Sequence, residues 1–139
     1  MKSNNYIQLK IPALSQNEYL ARSVVGALFA ELNPTIEQLT DVKTAVSEAV
    51  TNCIVHAYQD AEGVIEINAW LEGGTIHIKI IDTGVGIEDV NQAMTPFFSS
   101  KPNADRSGMG FTVMQSFMDE LKVTSTIGQG TTIDMKKTI

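Results

Sequence analysis

The sequence predicts an α+β fold in which a mixed, mostly antiparallel sheet is covered on one face by about three helices, as a two-layer sandwich. Three observations support this fold class. Alternating apolar and polar residues mark short strands, and apolar residues at helical spacing mark helices between them. Glycine-containing turns at 73–74 and 128–130 each separate two alternating segments, as in antiparallel hairpins. No linker, repeat or low-complexity tract interrupts the chain, so we expect residues 1–139 to form a single domain.

The first half of the chain is predicted to hold one strand and two helices. Residues 6–11 alternate and predict a half-buried strand. A capping-box pattern at Ser15 precedes apolar residues that recur at helical spacing as far as Leu32, which predicts the first helix. The pair Asn33-Pro34 is typical of a helix start, and the second helix is predicted to continue to about Tyr58.

The second half is predicted to hold two hairpins separated by a loop and a third helix. The helix is expected to open at Gly108 and to continue to Leu121. No periodic pattern continues through residues 88–106, which predicts a long loop, and long loops in compact domains are usually functional. The predicted strands of the two hairpins are 65–71, 76–80, 123–127 and 133–135.

Composition and charge limit the function classes. With 43% hydrophobic residues in 139, the chain can bury a core without metal or disulfide support. Ten Lys and Arg against sixteen Asp and Glu give a net charge of −6, which disfavours direct binding to nucleic acid. Cys53 is a single cysteine and cannot form an internal disulfide. There is neither a signal sequence nor a run of about 18 apolar residues, so we expect a cytoplasmic protein without membrane attachment.

Glu48 and Asn52 are the first candidate site residues. They lie four residues apart on the predicted second helix, so their side chains share one face. An amide oxygen suits Mg²⁺, and a carboxylate can polarise a hydroxyl next to a γ-phosphate. The alternative, a solvated helix face, is common for such a pair in isolation.

The segment from Asp82 to Gly86 is the second candidate. A buried isoleucine-rich strand ends in the Asp82 carboxylate, followed by Gly84 and Gly86. Glycines let a backbone turn sharply and approach a ligand, and the carboxylate can accept a hydrogen bond from an exocyclic amine such as that of adenine. An ordinary turn is the alternative.

The predicted start of the third helix is a candidate anion site. Free N–H groups at a helix start favour binding of phosphate, and nearby cations strengthen that binding. The alternative for the helix start is an ordinary helix cap, and the alternative for the cations before it is a solvated loop. In a separate turn, Thr131 could reach a ligand, although that segment on its own is typical of a hairpin. The phosphate-binding candidates are Lys101, Arg106, Ser107, Gly108, Met109 and Gly110.

The order and separation of these motifs resemble those of the GHKL family, which includes gyrase B, histidine kinases and MutL. The resemblance extends from about Ile36 to the C-terminus and implies the Bergerat ATP-binding fold. It implies that Asp82 contacts adenine, Asn52 holds Mg²⁺, Glu48 is the catalytic base and residues 88–107 form the ATP lid. The matching motifs are Glu48…Asn52, Asp82-x-Gly84-x-Gly86, Gly108-x-Gly110 and Gly128-x-Gly130-Thr131.

A narrower resemblance covers nearly the whole chain and includes the run Ser-Glu-Ala-Val-Thr-Asn at Ser47–Asn52. The chain is similar to the anti-sigma factor serine kinases of sporulating bacilli. This resemblance implies a homodimer that binds a sigma factor of the sigma F type and blocks its use by RNA polymerase. It also implies transfer of the ATP γ-phosphate to a serine of an anti-anti-sigma partner.

Two other functions stay open at this point. The chain could be the ATP-binding catalytic domain of a sensor histidine kinase, which would need a partner domain carrying a phosphoacceptor histidine. It could also be a non-catalytic binding module switched by nucleotide. The presence of Glu48 argues against the second alternative, because such a module needs no catalytic base.

Overall fold

The computed structural model describes residues 4–95 and 110–139. Five strands form one sheet in the order β1-β2-β3-β5-β4, and all four pairings are antiparallel. The predicted α+β class is confirmed, although the expected mixed sheet is antiparallel throughout these five strands. The strands are β1 (Tyr6–Pro12), β2 (Val64–Glu72), β3 (Thr75–Asp82), β4 (Glu120–Thr126) and β5 (Gly130–Thr138).

Helices pack against one face of this sheet. Helix α2 lies in the middle of the helical layer and contacts both α1 and α4. A 3₁₀ turn at Ala30–Leu32 follows α1, and a π-helical turn at Cys53–Ala57 continues α2. Among the described residues, none of the helices is long and apolar enough to span a bilayer. The helices are α1 (Asn17–Phe29), α2 (Ile36–Asn52), α3 (Val90–Ala93) and α4 (Gly110–Phe117).

The core lies between the sheet and the helices. Alternate residues of β2 and β3 are buried, while their neighbours remain partly accessible, as expected for a sheet with one covered face. Fully buried strand residues such as Ile67, Ile80 and Ile133 meet Val46 and Val50 of α2 in one apolar cluster. This cluster fixes α2 over the strands that end at the candidate site.

The predicted starts of the first two helices differ from the structure. Helix α1 begins at Asn17, and its N-cap is Gln16, without a side-chain capping bond, rather than Ser15. Asn33 does not cap α2 but ends the preceding turn in a left-handed conformation with φ 54°, which asparagine tolerates. Thr35 caps α2 instead, because its Oγ1 accepts the Gln38 N–H at 3.1 Å and its own N–H donates to Gln38 Oε1 at 2.8 Å.

Candidate functional site

An open cavity of about 470 Å³ lies where α2 and its π turn meet the end of β3 and the start of β5. Part of its wall is apolar, with Val85, Ile87, Phe111 and Ile133 among the lining side chains. Helix α3 and the start of α4 close other sides. Five of the sequence-predicted site residues line this cavity, namely Asn52, Asp82, Gly86, Gly110 and Thr131.

Asp82 is the buried acceptor of the cavity. It is the last residue of β3, and only 5% of its surface is exposed. Its Oδ1 accepts the backbone N–H of Gly84 at 3.0 Å and that of Thr131 at 3.2 Å. Burial raises the pKa of Asp82, while these two N–H groups and the Cys53 thiol oppose the rise by stabilising the charged form. The carboxylate is therefore held in one place by donors from separate segments.

Two of the predicted glycines are required by close backbone approach. A methyl group on Gly84 would overlap the carbonyl oxygen of Ala57. A methyl group on Gly130, whose φ is +111°, would overlap the carbonyl oxygen of Asp82. Both positions therefore exclude a larger residue for steric reasons, and they keep the loop after β3 against its neighbours.

The π turn at the end of α2 also anchors that loop, and no pattern in the sequence predicted it. Its wider ring is closed by the Tyr58 N–H, which donates to the Cys53 carbonyl at 2.9 Å. The Ala57 carbonyl accepts the Val85 N–H at 3.0 Å. The Tyr58 hydroxyl accepts the Thr83 N–H at 2.8 Å and lies 2.6 Å from the Val64 carbonyl, to which it donates. Tyr58 is thus a supporting residue that sequence reasoning missed.

Ser125 on β4 is a second supporting residue that was missed. Its Oγ accepts the Ile87 N–H at 2.7 Å, lies 3.0 Å from the Gly130 carbonyl and lies 2.8 Å from Thr131 Oγ1. One hydroxyl therefore joins the loop after β3 to the turn between β4 and β5. A lone serine in an alternating strand carries no local signal of this role, which depends on the β4–β5 register.

Glu48, Asn52 and Gly110 come together on the helical side of the cavity. A methyl group on Gly110 would lie 3.2 Å from Asn52 Oδ1 and 3.5 Å from Glu48 Oε2. Asn52 lines the cavity, and the half-buried Glu48 lies beside it without lining the wall. Glu48 and Asn52, the two residues predicted to share one helix face, both approach the start of α4.

Lys101, Arg106, Ser107, Gly108 and Met109 lie outside the described residues, as does most of the predicted lid. The first residues of the predicted lid, 88–95, are described and include α3, whose N-cap Asp89 accepts the Gln92 N–H at 3.0 Å. Glu88, Asp89, Gln92 and Ala93 line the cavity.

The side-chain donors of the site determine which metal ions it could hold. Within the described residues, 4–95 and 110–139, no three His, Cys, Asp or Glu side chains are grouped closely enough to hold a metal ion by themselves. Asn52 offers one amide oxygen in the cavity. Mg²⁺ commonly keeps several waters and takes few protein ligands beside substrate phosphates, so a single such donor fits that ion.

Comparison with known proteins identifies the family. Residues 11–137 match the model of the histidine kinase-like ATPase domain. The chain belongs to this family. The chain is 55% identical over 139 residues to the anti-sigma F factor of Caldanaerobacter subterraneus subsp. tengcongensis, covering 100% of this chain and 97% of that protein. It is 50% identical over 134 residues to the anti-sigma F factor of Anoxybacillus flavithermus, covering 96% of this chain and 92% of that protein.

Membership of the histidine kinase-like ATPase family implies ATP binding, and the cavity fits that ligand. Small-molecule sites usually span about 300–1,000 Å³ with apolar walls and a few polar groups, and the cavity at about 470 Å³ falls in this range. Asp82 provides a buried acceptor suited to an exocyclic amine, and the surrounding apolar side chains suit a purine ring. The sequence-based expectation of a GHKL-type ATP-binding domain is confirmed.

Proposed function

We propose that this chain is an anti-sigma F factor that also acts as an ATP-dependent serine kinase. Residues 1–139 act as one domain, which binds a sigma factor of the sigma F type and phosphorylates a serine of its anti-anti-sigma antagonist. Relatives named anti-sigma F factor match almost end to end at 50–55% identity, which supports the first activity. The placement of Glu48 and Asn52 against the start of α4, beside the Asp82 cavity, carries the proposal of the second.

The base end of the nucleotide is assigned to Asp82 and its surroundings. The carboxylate accepts a hydrogen bond from the exocyclic amine of adenine, and Gly84 and Thr131 hold the carboxylate through their N–H groups. Gly86 forms part of the wall beside the ring. Because the acceptor is buried and already oriented, binding costs little further ordering.

The phosphate end is assigned to the helical side. Asn52 would hold Mg²⁺, and the ion would neutralise phosphate charge when bound. Gly110 at the start of α4 brings its backbone N–H to the phosphates, as a helix start favours anions. In this proposal the remaining phosphate contacts come from Lys101, Arg106, Ser107, Gly108 and Met109.

Glu48 is assigned as the general base. Its carboxylate takes the proton of the incoming serine hydroxyl as the serine oxygen bonds to the γ-phosphorus and the bond from that phosphorus to the β-γ bridging oxygen breaks. The products are phosphoserine and ADP. Glu48 lies beside Asn52 and the start of α4, at the phosphate end of the cavity.

The proposed anti-sigma role also includes a regulatory assembly of this chain with its partners. We propose that the protein works in the cytoplasm as a homodimer, that it holds the sigma factor away from RNA polymerase, and that it does not contact nucleic acid itself. The net charge of −6 supports the last point, because DNA is also an anion.

A transfer assay tests the proposal. The protein is incubated with Mg²⁺, ATP labelled on its γ-phosphate, and a candidate anti-anti-sigma protein, and the modified residue is then mapped. Acid-stable label on one serine is the expected result. Acid-labile label on a histidine would instead favour a histidine kinase catalytic domain, and tight ATP binding without any transfer would favour a non-catalytic module.

A further inference from the structure

One lysine on β5 joins helices α2 and α4. Lys137 Nζ lies 2.6 Å from the Phe117 carbonyl oxygen, to which it donates a hydrogen bond. The same nitrogen lies 3.5 Å from Asp41 Oδ2. Phe117 is the last residue of α4, and Asp41 lies in the first half of α2. One ammonium group therefore ties both helices to the sheet beneath them.

The other end of the same helix pair forms the phosphate side of the proposed site. Asp41, Glu48 and Asn52 are separated by seven and then four residues, so their side chains share one face of α2. On α4, Gly110 approaches Glu48 and Asn52, whereas Phe117 lies at the Asp41 end. Asp41 to Glu48 and Gly110 to Phe117 each cover about 10 Å of helix, so the two helices are antiparallel and in step.

We propose that Lys137 is a positioning residue for phosphotransfer, acting through α4. The inference rests on the kinase site proposed above. By tying the end of α4 to α2, Lys137 sets how closely the start of α4 lies against Glu48 and Asn52. Lys137 lies outside the cavity wall, so this role requires no contact with the nucleotide or the acceptor serine.

The short length of α4 explains why this anchor matters. The helix has eight residues, and a helix of this length depends on tertiary contacts for its stability. Among residues 110–117, Met114 is the buried one, and it lies near the middle of the helix. A helix held at its middle can tilt, so movement of its last turn also moves its first turn. The bond from Lys137 to Phe117 opposes that tilt, and a cation at a helix C-terminus is favourable.

The neighbouring lysine provides a matched control. The side chains of Lys137 and Asp41 are 13% and 21% exposed, and such partly buried pairs are screened less by salt than exposed pairs. Lys136 precedes Lys137 on β5 and points to the open face of the sheet, because side chains alternate along a strand. Its side chain is 48% exposed and pairs with Glu120 at 3.2 Å.

Single-turnover phosphotransfer to the antagonist, at saturating Mg²⁺ and ATP, tests the role. Lys137→Met keeps much of the side-chain length but removes the ammonium group, and we expect it to slow transfer about 10-fold through misplacement of α4. The dissociation constant for ATP should change by less than about 3-fold, because the Asp82 end is built from other segments. Lys136→Met should leave both quantities unchanged.

Two further variants separate positioning from simple stability. Lys137→Arg keeps a cation and a donor, so its transfer rate should lie within about 3-fold of that of the unmodified protein. Val25→Ala removes a fully buried side chain from α1 and should lower the melting temperature without slowing transfer. Full-rate transfer by Lys137→Met, or equal slowing by Val25→Ala at the same loss of stability, would overturn the proposal.

The unmodified protein separates the two levels of assignment. If it transfers no phosphate to the antagonist, the proposed kinase function fails and the role of Lys137 fails with it. If it transfers phosphate and Lys137→Met does so at the same rate, only the role of Lys137 fails.

Heteronuclear NMR of amide groups tests the coupling of the two helix ends without nucleotide or antagonist. The side-chain amide of Asn52 and the backbone amide of Gly110 report on the contact between α2 and the start of α4. Both signals are expected to shift in Lys137→Met and to stay in place in Lys136→Met. Unchanged signals in Lys137→Met would overturn the proposed action through α4.

Discussion

The two ends of the cavity are built differently. At the Asp82 end, backbone groups from three segments contact one another, and a methyl group on Gly130 or Gly84 would overlap a carbonyl oxygen. At the Glu48 end, two packed helices bring side chains together, and a methyl group on Gly110 would meet Asn52 and Glu48 at 3.2–3.5 Å, near ordinary contact. The first end depends on backbone geometry and the second on side-chain chemistry.

This difference predicts where mutations act. Changes at the Asp82 end should lower stability and nucleotide affinity together, because the same backbone contacts support both. Changes at the Glu48 end should reduce phosphotransfer while the fold persists.

Gly130→Ala is expected to have the largest effect. Its methyl group would overlap the Asp82 carbonyl at a φ of +111°, so we expect a loss of about 3 kcal/mol or more in the free energy of unfolding. Gly73→Ala is the matched control, since Gly73 has a φ of +62° but no atom within 4 Å. It should cost only about 1 kcal/mol from backbone strain. Chemical denaturation of both variants makes the comparison, and equal losses would contradict the steric account.

Asp82→Asn is expected to weaken ATP binding about 10-fold or more, because it removes the charge from a buried acceptor. Calorimetric titration with ATP measures the change. Asp134→Asn is the control, because Asp134 lies on β5 in a partly exposed pair with Lys79 at 3.8 Å. Its ATP affinity should equal that of the unmodified protein. Equal weakening by the two variants would show that Asp82 makes no particular contact with the base.

Gly110→Ala is expected to reduce the rate of phosphotransfer about 10-fold, corresponding to about 1.4 kcal/mol of transition-state stabilisation. The added methyl group would lie 3.2 Å from Asn52 Oδ1, closer than an ordinary contact, so the Asn52 amide must shift by a few tenths of an ångström beside Glu48. Alanine favours a helix over glycine by about 1 kcal/mol, so the melting temperature should stay the same or rise. A large loss of stability with an unchanged rate would reverse the predicted contrast between the two ends.

The smallest expected effect is a pH dependence of stability from Asp82. Burial raises its folded-state pKa above the ordinary 3.8, so the folded protein keeps a proton that the unfolded chain has lost. The contribution of Asp82 to stability is therefore complete below its pKa in the unfolded chain, and it is lost as pH rises through its pKa in the folded protein. The stability of Asp82→Asn minus that of the unmodified protein should increase from about pH 3.8 upward. A stability difference that decreases as pH rises above about 3.8 would contradict a raised pKa for Asp82 in the folded protein.

The sequence predicted the elements better than their ends. Hydrophobic periodicity was sufficient to predict α2 and the hairpin of β2 and β3, because burial dominates there. The predicted cap of α2, Asn33, was wrong because Asn33 and Thr35 both suit a helix start. The capping box with Gln38 favours Thr35. The π turn at Cys53–Ala57 was not predictable, since its apolar pattern continues that of the helix.

The site was predictable where a motif is local and unpredictable where it depends on register. The spacing of Glu48 and Asn52 predicts a shared helix face directly. The bond from the Thr131 N–H to Asp82 joins residues 49 apart in the chain and requires the pairing of β3 with β5. Tyr58 and Ser125 support the loop through contacts of the same long-range kind, which no local pattern indicates.

Single-turnover transfer by Glu48→Gln tests the central claim most directly. The variant keeps the size of the side chain but removes the base, and Glu37→Gln, at the exposed start of α2, is its control. The account predicts that Glu48→Gln binds ATP as tightly as the unmodified protein and transfers phosphate to the antagonist at least about 100-fold more slowly. Glu37→Gln should do both normally. Transfer by Glu48→Gln at the rate of this control would contradict the assignment of Glu48 as the catalytic base.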